Sequence, residues 1–286
     1  QNWIFQGSLN DPYKEFFVIK NDAIVPRVAG AVGEASRLDH NHWVWSEQYL
    51  VLHSRIPPFI SHKLAHKIMV IGKSINFMKH CCKDGDWIAE TTRKIHLQLP
   101  SDGIQHFDQL RHPIHQLYEV INTRLVHLII DKFHLLHHVE AIRKYLFLGQ
   151  GDLIQILMES LEPELSLPVG KQYRHNLLPI VDGAIRSSVA NSWPSYLQDR
   201  CEIYLPTAKD LAKDGHIFGD MHAPQDGWNI FELAYKLTSP LDAILGSFTV
   251  VQQHRAIFRF LWRLRRTQFI LSGTWRLTTN CTRQLT

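Results

Sequence analysis

The chain has 286 residues, of which 45% are hydrophobic and 20% charged, with 31 Lys and Arg against 27 Asp and Glu. It is too apolar for a disordered segment, and its 15 glycines and 13 prolines exclude a collagen-like or low-complexity chain. No apolar run reaches the roughly 20 residues of a membrane-spanning helix. We therefore expect a soluble globular protein of one large or two ordinary domains.

The N-terminal third alternates short apolar runs with turn residues. Trp3-Ile4-Phe5 predicts the end of a helix, and residues 15–19 predict a short strand. Residues 21–42 lose all periodicity, which predicts a loop or a joint across omitted residues. Ser61 can cap an amphipathic helix with apolar residues at three- and four-residue spacing, and this helix should end near Cys81.

The middle of the chain holds a polar segment and then the longest periodic run. Residues 83–105 are polar and rich in turn residues, which predicts an interior linker. From Asp108 to Phe147 apolar residues recur every three or four positions with one polar interruption at Lys132, so a helix of roughly 60 Å is predicted. Globular helices average only about 11 residues, and this length favours an elongated helical bundle over an α/β enzyme.

Further helices separated by turns are predicted after this run. Gly149-Gln150-Gly151 predicts a turn between helices, Asp152 can cap the next helix, and a further helix is expected from Asn176. Cys201–Leu205 and Trp228–Leu237 read as two short strands that could pair beside the bundle.

A last helix begins near Ser247 and carries apolar residues at helical spacing as far as Trp275. We expect it to point at a partner helix or domain beyond the end of the chain. The chain starts at Gln1 without a signal peptide, which suggests an excerpt of a longer protein. The predicted fold class is mainly α: elongated stacked helical bundles with a small β element near residues 200–237.

Motifs that resemble nucleotide or metal sites are incomplete. Gly72-Lys73-Ser74 resembles the end of a phosphate-binding loop, but the glycine needed five residues earlier is replaced by Lys67. We expect Gly72 and Ser74 instead to let a neighbouring helix approach closely. Among the 18 histidines, the pair His62 and His66 lacks the adjacent Glu of helical zinc hydrolases. We therefore predict no catalytic residues, no metal and no cofactor.

Five arginines stand between Arg255 and Arg266 without any acid among them. Their positive field attracts an acidic partner, which could be protein, nucleic acid or membrane, or they form only a solvated helix face. Interleaved aromatic residues superficially resemble a nucleic-acid-binding surface. Phe258 and Trp262 lie near the apolar stripe of this helix, however, and we expect them in the core.

Short stretches spread in order along nearly the whole chain resemble the gamma-tubulin complex component family. Two of them, Gly-Lys-Ser-Ile-Asn-Phe and Gly-Gln-Gly-Asp, most resemble its third component, whereas residues 234–240 depart from the usual family pattern. The stretches are Trp3-Ile4-Phe5, Gly7, Asp11-Pro12-Tyr13, Glu15-Phe16-Phe17, Ile56-Pro57-Pro58-Phe59, Ile71-Gly72-Lys73-Ser74-Ile75-Asn76-Phe77, Leu148-Gly149-Gln150-Gly151-Asp152, Gly227-Trp228 and Phe258-Arg259-Phe260-Leu261-Trp262.

The resemblance implies a non-catalytic scaffold of stacked helical bundles. In this family an N-terminal domain makes lateral contacts between components, and a C-terminal domain holds gamma-tubulin, so that a ring of subunits templates a microtubule. Residues 1–105 would be the C-terminal part of the first domain, and residues 106–286 the beginning of the second. The implied partners are gamma-tubulin and other components, without nucleic acid or membrane. The implied location is the cytoplasm and cytoskeleton, at a microtubule-organising centre such as a centrosome or spindle pole.

Seven residues are expected to contact gamma-tubulin: a basic face of Arg255, Arg259, Arg263 and Arg266, and a nearby loop with Asp226, Trp228 and Asn229. Alternatively, Trp228 is buried and the arginines are solvated or paired within the scaffold. Two other classes of protein stay open. One is a helical nucleic-acid-binding protein that uses the arginine-rich final helix, and the other is a histidine-liganded metalloenzyme.

Overall fold

The fold was obtained as a computed structural model that describes residues 1–21, 45–96, 108–167, 173–188, 193–205 and 227–285. These residues are mainly helical, as predicted, with two small antiparallel sheets of two strands each. Within these ranges, no helix combines the length and the apolar character needed to cross a membrane.

The described residues form ten α-helices and four strands. In chain order the helices are α1 (His62–His80), α2 (Gly85–His96), α3 (Asp108–His127), α4 (Leu135–Tyr145), α5 (Gly151–Leu165), α6 (Arg174–Ser187), α7 (Ser195–Gln198), α8 (Gly227–Ile230), α9 (Leu241–Leu245) and α10 (Phe248–Leu285). The strands are β1 (Val18–Lys20), β2 (Tyr49–Val51), β3 (Cys201–Tyr204) and β4 (Glu232–Tyr235).

The chain divides into two compact units. The first comprises Gln1–Leu135 with Leu237–Phe248, and the second comprises Leu136–Lys236 with Thr249–Thr286. The first therefore contains α1 to α3 and the sheet of β1 and β2, whereas the second contains α5 to α7, the sheet of β3 and β4, and nearly all of α10.

Helix α1 is the centre of the first unit and forms where the sequence predicts it. The Ser61 hydroxyl accepts a hydrogen bond from the Leu64 amide at 3.3 Å, which satisfies one of the free amides of the first turn. The helix packs against α3. The apolar residues buried on these two helices include Ile68, Ile71, Ile75, Met78, Ile114, Leu117 and Ile121.

The expected close approach at Gly72 is confirmed, and the approaching group is the indole of Trp3. A Cβ at position 72 would clash with the Cε2, Cδ2 and Nε1 atoms of the Trp3 indole. The indole Nε1 donates a hydrogen bond to the Ile68 carbonyl at 2.8 Å, and Trp3 itself lies in a π-helical turn, Asn2–Gln6. Only glycine leaves room for this ring at the surface of α1.

Two predictions about the middle of the chain are wrong. Part of the predicted linker 83–105 is helical, because α2 buries Ile88, Thr92 and Ile95 on one face while most of its other positions are polar. The single helix predicted from 108 to 147 is two helices. A π-helical turn, Leu128–Lys132, follows α3, and His134 then adopts a φ of 52°, which takes the chain out of the right-handed helical region.

The core of the second unit is centred on α5, which packs against α6. Asp152 is not the N-cap of α5 as predicted, because Gln150 occupies that position. The Gln150 side chain makes no capping bond, and its Nε2 instead donates a hydrogen bond to Asp152 Oδ1 at 2.6 Å. The predicted pairing beside this core is confirmed: β3 and β4 are antiparallel with Ile203 opposite Leu233. The second strand is shorter than predicted, since Gly227–Ile230 forms a helical turn.

Cys82 and Cys281 should differ in reactivity because one is buried and the other is exposed. Cys82 is only 2% exposed and burial raises the pKa of its thiol to about 12, whereas Cys281 is exposed on α10. Because the thiolate is the reactive form, iodoacetamide at about pH 8 should modify Cys281 rapidly and Cys82 only after denaturation. Peptide mass spectrometry over a time course measures both rates. Fast alkylation of Cys82 in the folded protein would contradict its burial.

Candidate functional site

Two arginines of the predicted basic face meet a buried carboxylate. Glu232 of β4 is 5% exposed in its side chain, and its Oε1 lies 3.2 Å from Nε of Arg259. Its Oε2 lies 3.9 Å from Nε of Arg255. Burying a carboxylate is unfavourable unless opposite charges compensate it, and α10 supplies two. Glu232 thus balances one of the two positive charges within the unit.

Aromatic rings hold the guanidinium groups at both ends of the predicted face. The Arg255 guanidinium lies over the Tyr204 ring, 3.7 Å from its centroid, and the Arg266 guanidinium lies 5.2 Å from the centroid of Trp228. Attraction between a cation and the face of a ring is stronger where water is partly excluded. Three of the four predicted arginines therefore contact groups of their own unit.

Trp228 is a core residue. Its ring stacks on Trp262 with centroids 5.8 Å apart, and the Phe258 ring also stacks on Trp262, with centroids 5.7 Å apart. All three rings are buried. As expected from the periodicity, Phe258 and Trp262 are core residues, so they cannot stack on the bases of a nucleic acid.

The three other predicted contact residues lie at positions of two kinds. Arg263 on α10 and Asn229 on α8 are both partly exposed, while Asp226 lies outside the residues that the structure describes. The structure therefore brings the four arginines and Trp228 together around one helix. Their contact with gamma-tubulin stays a prediction.

The sequence pattern does not mark Glu232 as the partner of the basic face. It lies within a run predicted as a strand, and nothing local marks it as buried. On its other side β4 is tied to α4, because the Tyr235 hydroxyl lies 2.7 Å from Nδ1 of His138. Burial raises the pKa of Tyr235, so this phenol stays neutral. Strand β4 therefore contacts α4 through Tyr235 and α10 through Glu232.

The residues described hold no group of three or more His, Cys, Asp or Glu side chains that could bind a metal ion. His62 lies beside His53, and the Nδ1 atoms of the two rings are 3.4 Å apart. Two imidazoles without a third ligand are insufficient for a protein zinc site.

Comparison with known proteins places the chain in a family of complex subunits. The family described as gamma tubulin complex component N-terminal matches residues 1–132, and gamma tubulin complex component C-terminal matches residues 135–286. The chain therefore belongs to the gamma-tubulin complex component family.

Several relatives carry the name of the third component. The chain is 31% identical over 278 residues to gamma-tubulin complex component 3 of Homo sapiens, covering 94% of this chain and 27% of that protein. It is 30% identical to gamma-tubulin complex component 3 of Arabidopsis thaliana over 292 residues, 98% of this chain and 31% of that protein. It is 36% identical over 276 residues to spindle pole body component alp6 of Schizosaccharomyces pombe, covering 96% of this chain and 30% of alp6. The chain thus spans about three tenths of the length of these relatives.

The two family matches meet between residues 132 and 135, next to the end of the first compact unit at Leu135. The domain boundary predicted near residue 105 lies outside the described residues and stays a prediction.

Proposed function

We propose that this chain is part of a non-catalytic scaffold subunit of a gamma-tubulin complex, which assembles laterally with related components and holds gamma-tubulin to template a microtubule. The observation that carries the proposal is the uninterrupted succession of both family domains along the chain. The mainly helical fold supports it, because long helices bury one another and leave extended faces for protein contacts.

Within this proposal the two parts of the chain have different partners. Residues 1–105 contribute to lateral contacts with other components, and residues 106–286 belong to the domain that holds gamma-tubulin. The subunit acts in the cytoplasm and cytoskeleton at a microtubule-organising centre, the kind of location that the name of the spindle pole body relative describes.

Affinity purification of the full-length protein tests the proposal directly. Gamma-tubulin and at least one other component should be recovered with it in a complex of high molecular mass. A monomeric product without gamma-tubulin, obtained at physiological salt, would refute the assignment.

The basic face gives a sharper prediction. Replacing Arg259 and Arg263 together with glutamate should weaken gamma-tubulin binding by about tenfold, because two attractive charges become repulsive. Recovery of gamma-tubulin in quantitative pull-downs measures the effect. Since the change at Arg259 also places a second carboxylate beside Glu232, Arg263→Glu alone is the cleaner variant, with a smaller loss expected.

The matched control is Arg186→Glu, which makes the same charge change on α6, where Arg186 is exposed and lies 3.9 Å from Asp182. It should leave binding unchanged. If the variants at 259 and 263 keep the native circular dichroism spectrum and bind like Arg186→Glu, the basic face does not contact gamma-tubulin.

A further inference from the structure

A cavity of about 340 Å³ lies in the first compact unit, where three elements meet. It is formed by the π-helical turn Asn2–Gln6, the last turn of α1 and one face of α2. The volume is at the lower end of the range for small-molecule sites, roughly 300–1,000 Å³, and the cavity is open to solvent on one side. Its lining includes Phe5, Lys79, Ile88, Ala89, Thr92 and Arg93.

The inner wall of this cavity is mainly apolar. Ile88 is buried and the Phe5 ring is half-buried. The Thr92 hydroxyl, also on this side of α2, donates its hydrogen bond to the Ile88 carbonyl at 2.7 Å and so is satisfied within the helix. Ala89 contributes only a methyl group and leaves the space open. A ligand therefore gains most from this wall through an apolar group that displaces water.

Two cations line the same cavity. The half-buried Lys79 donates a hydrogen bond from Nζ to the Gln6 carbonyl, which holds the ammonium beside the π-helical turn and leaves two of its three N–H donors for other groups. Arg93 is exposed on α2. Among the residues that the structure describes, neither cation forms an ion pair, because the neighbouring Glu90 lies 2.6 Å from Lys94.

The apolar wall and the two cations together select a class of ligand. A small hydrated anion such as inorganic phosphate would meet the cations but would leave the apolar wall in contact with water. A neutral hydrocarbon would cover the wall but would bring no counter-charge to Lys79 and Arg93. An aromatic carboxylate does both, because its ring can pack on Phe5 and Ile88 while a guanidinium binds its carboxylate with two parallel hydrogen bonds.

We propose that this cavity binds an aromatic carboxylate, with the ring against the apolar wall and the carboxylate between Lys79 and Arg93. The ligand is either a free small molecule or an aromatic side chain followed by an aspartate in a protein segment, since both present the same chemistry. None of the cavity residues belongs to the basic face predicted for gamma-tubulin.

Ligand-observed NMR titrations of the full-length protein test this site with 2-naphthylacetate and its neutral amide, 2-naphthylacetamide. For ligands of this size a Kd of about 1 mM is expected, and the acid should bind at least about fivefold more tightly than the amide. Arg93→Glu should remove this preference and leave the affinity for the amide unchanged. Ala89→Trp should abolish binding of both by filling the cavity. The matched control is Arg111→Glu, the same charge change at an exposed position of α3, which should alter neither affinity.

Loss of the preference with retained amide binding is decisive, because a misfolded protein would lose both ligands. A blocked peptide of phenylalanine followed by aspartate identifies the source: tighter binding than 2-naphthylacetate supports a protein segment, and weaker binding supports a free small molecule. Equal affinity of the native protein for acid and amide, or binding of neither, would overturn the proposal. So would an equal loss of acid binding in Arg111→Glu and Arg93→Glu. Because no gamma-tubulin is present, the outcome does not depend on whether the protein holds it.

Discussion

Replacing Gly72 with alanine is expected to lower the free energy of unfolding by about 2–4 kcal/mol. The added methyl would occupy the position of the Trp3 indole, which is itself buried and donates to the Ile68 carbonyl. The ring must then move, and its hydrogen bond and its contacts with α1 are lost together. Urea denaturation followed by circular dichroism measures the loss.

Two further variants isolate this cause. Gly183→Ala in α6 is the matched control, because a Cβ there meets nothing within 4 Å, and it should stabilise the protein by about 0.5–1 kcal/mol. In a Trp3→Leu background, where the ring is absent, Gly72→Ala should be much less harmful than in the native protein. If the alanine destabilises both backgrounds equally, contact with Trp3 is not the reason for the glycine.

Removing the buried carboxylate of Glu232 should have an effect of similar size. Glu232→Ala leaves Arg255 and Arg259 without their shared counter-charge, and we expect a loss of about 2–4 kcal/mol of stability. The estimate lies below the full range for buried pairs because the arginine side chains keep 21% and 17% of their exposure. The same urea titration provides the measurement.

The matched control for this change lies on the neighbouring strand. Glu202 of β3 is 35% exposed in its side chain and faces Lys236 at 3.4 Å. Glu202→Ala should therefore change stability by less than about 1 kcal/mol. A loss at Glu232 no larger than the loss at Glu202 would show that the carboxylate does not hold β4 against α10.

Local sequence signals predicted those elements whose cause is local. The cap at Ser61, the apolar face of α1 and the start of α10 near Ser247 all arise from residues within a few positions of one another. The π-helical turn after α3 was not predicted. The insertion of one residue leaves the three- and four-residue spacing of the apolar residues nearly unchanged. Helix α2 was not predicted because its few buried residues are separated by polar ones, and such a composition is typical of a linker.

The amino-acid sequence by itself determined the mainly α class, the pairing of two short strands, the family, and the burial of Phe258 and Trp262, since periodicity and motif order record these properties along the chain. Only the tertiary structure decided that Trp3 fills the space at Gly72 and that Glu232 pairs with Arg255 and Arg259. Such facts depend on strand register and helix rotation, which bring together residues far apart in the chain and leave no local pattern.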